Sequence, residues 1–142
     1  MQFRKLNRDG AENVYRTVYN QEGATITTGL PVSLKNTSTD GIAATIANAA
    51  ADFPGFIGVA TQDIPNNDYG LVQISGFVNS ILLSNEGSSI TINAGDPLVP
   101  AATGFASAAP TYANAGFKFL TASNVPVAVS AAAYASGLIK GI

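Results

Sequence analysis

The sequence predicts an all-β fold: a compact small β-barrel or β-sandwich, jelly-roll or tulip-like, with short helices at most and an extended N-terminal arm. Three observations carry this expectation. Apolar and polar residues alternate at period two in several short runs, the signature of strands with one buried face. Glycine, proline, asparagine and aspartate punctuate those runs at close intervals. Charged residues make up only 11% of the 142 residues, against 46% hydrophobic. That is well under the roughly one quarter usual for a soluble domain. Such a chain either buries much of itself against partners or presents a neutral Ser/Thr/Asn-rich exterior.

The elements follow in order. Residues 1–13 have no clear period and divide from a single β domain over 14–142. They form either an extended arm that docks on a neighbour or a frayed terminus. Val14–Tyr19 alternates in β-prone residues and predicts a first strand. In Ala24–Lys35, Ile26, Leu30, Val32 and Leu34 share one parity, while Gly29 and Pro31 break the run into two short strands or one bent strand. Residues 36–41, NTSTDG, form a turn or loop. Gly41–Asp52 is Ala-rich and reads as strand or as a helical turn, and Pro54 disfavours helix at Phe53.

Gly55–Ser84 is the most strongly patterned segment. Apolar runs Phe56–Ala60 and Leu71–Leu83 flank the polar insert DIPNNDYG. Val72, Ile74, Val78 and Leu82 share one parity and define the expected buried face. Gln73, Ser75 and Asn79 share the other, and Gly76 beside Phe77 marks a bulge or bend. Pro65, Asn66, Asn67, Asp68 and Gly70 suit a wide turn, so the segment predicts an antiparallel hairpin.

Beyond it, residues 85–89 form a turn, and Ile90–Pro100 has strand character on both sides of Gly95-Asp96-Pro97. Residues 101–116 are a loose Ala/Thr/Ser/Gly connection. Phe117–Thr121 and Val125, Val127 and Val129 alternate. Ser130–Ser136 reads as a short helix or an Ala-rich strand, and the apolar end Gly137–Ile142 as a docked strand.

A faint internal echo runs through the chain. TITTGLPV from residue 25 matches TINAGDPLV from residue 91, Gly55-Phe56 matches Gly116-Phe117, and Tyr69-Gly-Leu-Val matches Tyr134 with Gly137-Leu-Ile. A twofold duplication of a β unit or recurrent turn punctuation would each produce it.

The chemistry available is sparse. Cysteine, histidine and tryptophan are absent. No Ser-His or Cys-His nucleophile, imidazole base or usual zinc site can be built, and the expectation is a non-enzymatic protein with no metal and no cofactor. Asp63, Asn66, Asn67 and Asp68 could offer oxygens to calcium, but they lack EF-hand spacing and sit among turn formers. No motif pairs two carboxylates or cradles a phosphate. A formal net charge of −2 gives no argument for direct nucleic-acid contact. No run approaches the roughly 18 apolar residues of a membrane-spanning helix, and the N-terminus lacks the apolar core of a secretory signal. Tyr15, Tyr19, Phe53, Phe56 and Phe77 read as core aromatics or as a sugar-stacking platform, which keeps a glycan-binding surface module open as an alternative.

The runs PGFIGVATQDIPNNDYGLVQISGFVNSILLS, ITINAGDPLVP and GLIKGI together resemble small virion structural proteins of tailed bacteriophages. They are most similar to capsid decoration, or cement, proteins. The resemblance covers about two-thirds of the chain, from roughly Gly23 through Pro100 and again near the C-terminus. It implies a compact β fold on the outer surface of the virion head, often trimeric, that reinforces the shell without enzymatic activity. Its partners would be the major capsid protein and copies of itself, with no membrane and no direct nucleic acid. A tail-tube or connector protein would share these features. On this reading the arm residues Phe3, Arg4, Lys5, Leu6 and Arg8 are the candidate partner contacts, with Phe3 or Leu6 as apolar anchor and the basic groups at the rim.

Overall fold

The computed structural model describes residues 13–49, 51–84, 90–93, 95–107, 119–122, 127–129 and 133–140. Its strands are β1 (Val14–Asn20), β2 (Pro31–Leu34), β3 (Ala43–Ile46), β4 (Phe56–Ala60), β5 (Tyr69–Leu83), β6 (Ile90–Ile92), β7 (Pro97–Ala101), β8 (Gly104–Ser107), β9 (Phe119–Ala122), β10 (Val127–Val129) and β11 (Ala133–Lys140). A 3₁₀ turn covers Phe53–Gly55. The all-β expectation holds.

Nine strands run in the order β1-β3-β2-β4-β5-β11-β9-β7-β8, and two extra pairings bend this sheet into two rings. Pairing of β1 with β5 closes the first five strands into a barrel. Pairing of β5 with β8 at Leu83 and Phe105 closes β5-β11-β9-β7-β8 into a second ring. Each ring contains one parallel pair, β1 with β3 and β5 with β8, and is otherwise antiparallel.

The two rings share one topology. Substituting β5, β7, β8, β9 and β11 for β1, β2, β3, β4 and β5 reproduces every pairing. The correspondence extends to the connections. In the first half, Ile26 between β1 and β2 bridges Ile64 between β4 and β5. In the second half, β6 between β5 and β7 pairs with β10 between β9 and β11 in the same antiparallel sense. The sequence echo falls on these equivalent places: Ile26 and Ile92 are both fully buried. Gly70 lies opposite Val18 and Gly137 opposite Val78. The residues after these glycines, Leu71 and Leu138, are exposed, and the next, Val72 and Ile139, are buried. The echoed Gly116-Phe117 lies outside the described residues.

β5 makes the double ring possible. Its 15 residues far exceed the usual five or six. One stretch serves β4 and β1, and the other serves β11 and β8. Two irregularities bend it. Against β1, Val14 faces Ser75 but Tyr15 faces Gln73, which leaves Ile74 as an extra residue. Against β11, Ala135 faces Ile81 but Gly137 faces Val78, so β5 again carries one residue more. Gly76 between them has φ +99°, a conformation that glycine adopts without penalty. β4 crosses β5 so closely that a Cβ on Gly58 would lie 2.0 Å from the Gln73 carbonyl oxygen, and only glycine fits there.

Each ring has a core. Val18, Ile26, Val32, Ala44, Ile57, Ala60, Ile64 and Val72 fill the first. Val78, Ile81, Leu83, Ile92, Leu98, Phe105, Ala135 and Ile139 fill the second, joined by Ala47, Phe56 and Val59 from the first half. β4 is thus buried on both faces, which explains its unbroken apolar run FIGVA. Phe56 meets Phe105 edge-on at 5.8 Å, joining the halves through aromatic contact.

Several expectations are corrected. Val72 and Val78 are buried, but Ile74 is only half-buried, because it is the bulged residue against β1. After the second bulge the buried parity reverses, so that Ile81 and Leu83 point inward and Leu82 is half-buried. The 101–116 connection contains β8, and Ala133–Ser136 belongs to a strand. Residues 43–46 of the ambiguous Ala-rich segment are also strand. The 3₁₀ turn begins at Phe53 despite Pro54, since a proline in the first turn blocks no hydrogen bond that a short helix needs.

Candidate binding surface

The outward face of β5, with its neighbours β1 and β11, carries most of the large apolar groups exposed among the described residues. β5 carries no charged residue. Tyr69 is 58% exposed, and it packs at a tilt of 53° against Tyr19 of β1 with ring centroids 4.9 Å apart. Leu71 (41%) faces Thr17 across the strands, and Leu138 (36%) faces Phe77 at the equivalent place in the second ring. Tyr134 and Tyr15 are also exposed. The face therefore presents two related apolar patches, one per ring, with an uncharged strand between them.

A cleft of about 170 Å³ opens between the patches. Asn13, Tyr15, Thr28, Thr61, Gln73, Phe77, Val78, Asn79 and Ser80 line it. Gln73 forms part of its wall at only 3% exposure, and its Nε2 donates to the carbonyls of Ser75 (3.1 Å) and Phe77 (2.9 Å). These carbonyls flank Gly76, so the amide ties the bend together from within. The Asn13 side-chain oxygen accepts from the Phe77 amide at 3.0 Å, which anchors the start of β1 on β5. The loop before β2 crosses onto β5 through Gly29, whose amide donates to Ala60 and whose carbonyl accepts from Leu82, and this places Thr28 at the cleft.

The turn residues weighed for calcium are engaged in wiring loops. Asp63 accepts from the Thr28 amide (2.8 Å) and hydroxyl (3.0 Å). Asn66 accepts from the Gly23 amide, and Asp68 from the Tyr69 amide. Asn67 takes φ +60°, the left-handed turn conformation that asparagine tolerates. Among the described residues no three acidic side chains converge on a point that could hold a metal. Asp40 has a carboxyl held below its ordinary value, first by the Ser38 hydroxyl and then by the amides of Ile42 and Ala43. It organises an exposed turn and faces no cleft residue.

The candidate aromatic platform is divided. Tyr15 and Phe77 both line the cleft, and Tyr19 packs at a tilt against Tyr69. Phe56 is buried, and Phe53 packs against the second core. Sequence reasoning singled out Tyr15 and Phe77 but missed Gln73, Thr28 and Thr61, which reach the cleft only through long-range pairing. The arm residues Phe3, Arg4, Lys5, Leu6 and Arg8 lie outside the described residues.

Two tandem five-stranded rings on a shared, uncharged strand define an all-β fold. Comparison with known proteins gives the same class of fold. Among solved structures, the N base of head fiber gp8.5 of bacteriophage phi29 is similar, with a TM-score of 0.54 and 16% identity over 91% of this chain and 95% of that chain. Protein-family profiles return no match, and curated protein sequences return none.

Proposed function

We propose that this chain is a non-enzymatic structural component of a phage virion. It sits on the outside of the capsid head and reinforces contacts between capsomers. The observation that carries this reading is the mutual coverage of the head-fiber base, 91% and 95%, which leaves little of either chain unmatched. The sequence resemblance to capsid decoration proteins points the same way. Two related apolar patches flanking an uncharged strand suit assembly by several modest contacts acting together through effective concentration. The partners on this reading are the major capsid protein and further copies of the chain in a homotrimer, favoured by the closed symmetry of such assemblies.

The test is a binding titration of the purified chain on heads that lack it. Saturable decoration is expected, and sedimentation of the free chain should give a trimer. Deleting residues 2–9 is expected to leave the melting temperature nearly unchanged while weakening decoration. Phe3→Ala should cost more affinity than Lys5→Ala, whose effect fades with salt. No binding to bare heads would overturn the proposal, and full decoration by the truncated chain would remove the arm from it.

A further inference from the structure

We propose that the cleft between the two rings binds a neutral pyranoside, with the sugar ring against Tyr15 and Phe77. This inference rests on the cleft itself and stands independently of the virion role.

Its chemistry is specific. Among the described residues, no carboxylate, ammonium or guanidinium lines it, so a charged ligand finds no counter-ion among them. Two aromatic side chains line it together with hydroxyls and amides. An aromatic face carries partial negative charge and attracts the weakly positive C–H face of a sugar, while the hydroxyls around the ring need hydrogen-bonding groups at the rim.

Those groups are present and uncommitted in the right sense. Gln73 is almost fully buried, and its amide orientation is fixed because Nε2 must donate to two carbonyls. Its Oε1 accepts no hydrogen bond among the described residues and remains in reach of solvent. A ligand hydroxyl donating to it takes the place of solvent there and keeps the acceptor paired. The hydroxyls of Thr28 and Thr61 donate inward, to Asp63 and to the Leu71 carbonyl, and so face a ligand as acceptors. The side chains of Asn79 and Ser80 make no hydrogen bond among the described residues and can donate. Asn13 uses its oxygen on Phe77 and keeps its amide protons. The site thus alternates acceptors and donors, the pattern that a polyol satisfies.

Size decides between ligand classes. At about 170 Å³ the cleft is smaller than the roughly 300–1,000 Å³ of drug-sized pockets and suits one sugar ring. With so few atoms in contact, affinity for a free pyranoside should lie on the order of millimolar.

The test uses the full chain. Methyl α-D-glucopyranoside, methyl α-D-galactopyranoside and N-acetylglucosamine are titrated into ¹⁵N-labelled protein to tens of millimolar, with glycerol as a control. At least one pyranoside, but not glycerol, should shift the amides of residues 73–80, Thr28 and Thr61 saturably. Phe77→Ala should weaken binding about tenfold, consistent with one aromatic contact. Asn79→Ala, at an exposed position, should weaken it without changing the melting temperature, and Tyr69→Ala should leave it unchanged. A neutral-glycan array with the same variants shows whether a chain terminus binds better than the free sugar. The proposal is overturned by the absence of saturable shifts, by shifts centred elsewhere, or by native binding in both Phe77→Ala and Asn79→Ala.

Discussion

The two rings share a topology but not a manner of closing. The first closes along β1 and β5 through a ladder from Val14–Ser75 to Tyr19–Tyr69. The second closes at one pair, Leu83 with Phe105. The first core is built from its own half, whereas the second takes in Ala47, Phe56 and Val59 across the seam. A repeated topology thus does not mean two independent folding units. The second ring leans on the first, through a strand they share and a strand buried on both faces.

The largest expected effect tests this dependence. Phe105→Ala removes the largest fully buried side chain among the described residues and a seam contact, and should cost about 3–5 kcal/mol. Ile64→Ala, in the first core, should cost about 2–5 kcal/mol. Because the cores meet at β4, both variants should unfold in a single transition when followed by denaturant melts with fluorescence and circular dichroism. Separate transitions would show that the rings fold apart. Hydrogen exchange sharpens the same comparison: amides of the β1–β5 ladder should outlast those of β8.

Asn20→Ala is next. The buried Asn20 amide donates to the carbonyls of Ala24 and Ile64 at 2.8 Å each and accepts from the Glu22 amide. Its loss removes all three bonds, though the Ile64 carbonyl keeps the Ile26 amide, and should cost about 1–3 kcal/mol by thermal melt. Smaller still is Ile74→Ala. The half-buried bulge residue should lose about 1 kcal/mol, whereas Ile81→Ala in the second core should lose about 2–5 kcal/mol. Equal losses would mean that Ile74 is held against the first core as firmly as Ile81 is held in the second.

The smallest effect belongs to Asp40. Its folded pKa lies below the ordinary 3.8, so its contribution is present above that value and is lost as pH falls through the folded pKa. Asp40→Asn should slightly flatten the acid limb of stability and leave pH 7 behaviour almost unchanged, because the group is fully exposed.

What could be read from the sequence follows from the same geometry. FIGVA and the PNND turn announce β4 and the hairpin, because a strand buried on both faces is uniformly apolar and the turn needs residues that tolerate its dihedrals. The echo lies at equivalent places in the two rings. β8 escaped notice because GFAS sits in a small-residue tract with no alternation, and alanine gave β11 no clear preference. The parity of β5 failed beyond Val78 because a bulge adds a residue that no period reveals. Gln73 looked like an outward polar residue, yet it is buried to serve carbonyls around the bend. Closure of the rings depends on pairs far apart in sequence, and so do Thr28 and Thr61 at the cleft.

The most direct test of the central claim is a cryo-electron microscopy reconstruction of purified particles, with and without the chain. Density on the outer face of the head at symmetry-related positions is expected, with two similar β lobes per chain bridging capsomers and absent from particles lacking the protein. Density confined to the tail or connector, or heads unchanged by its removal, would contradict the account.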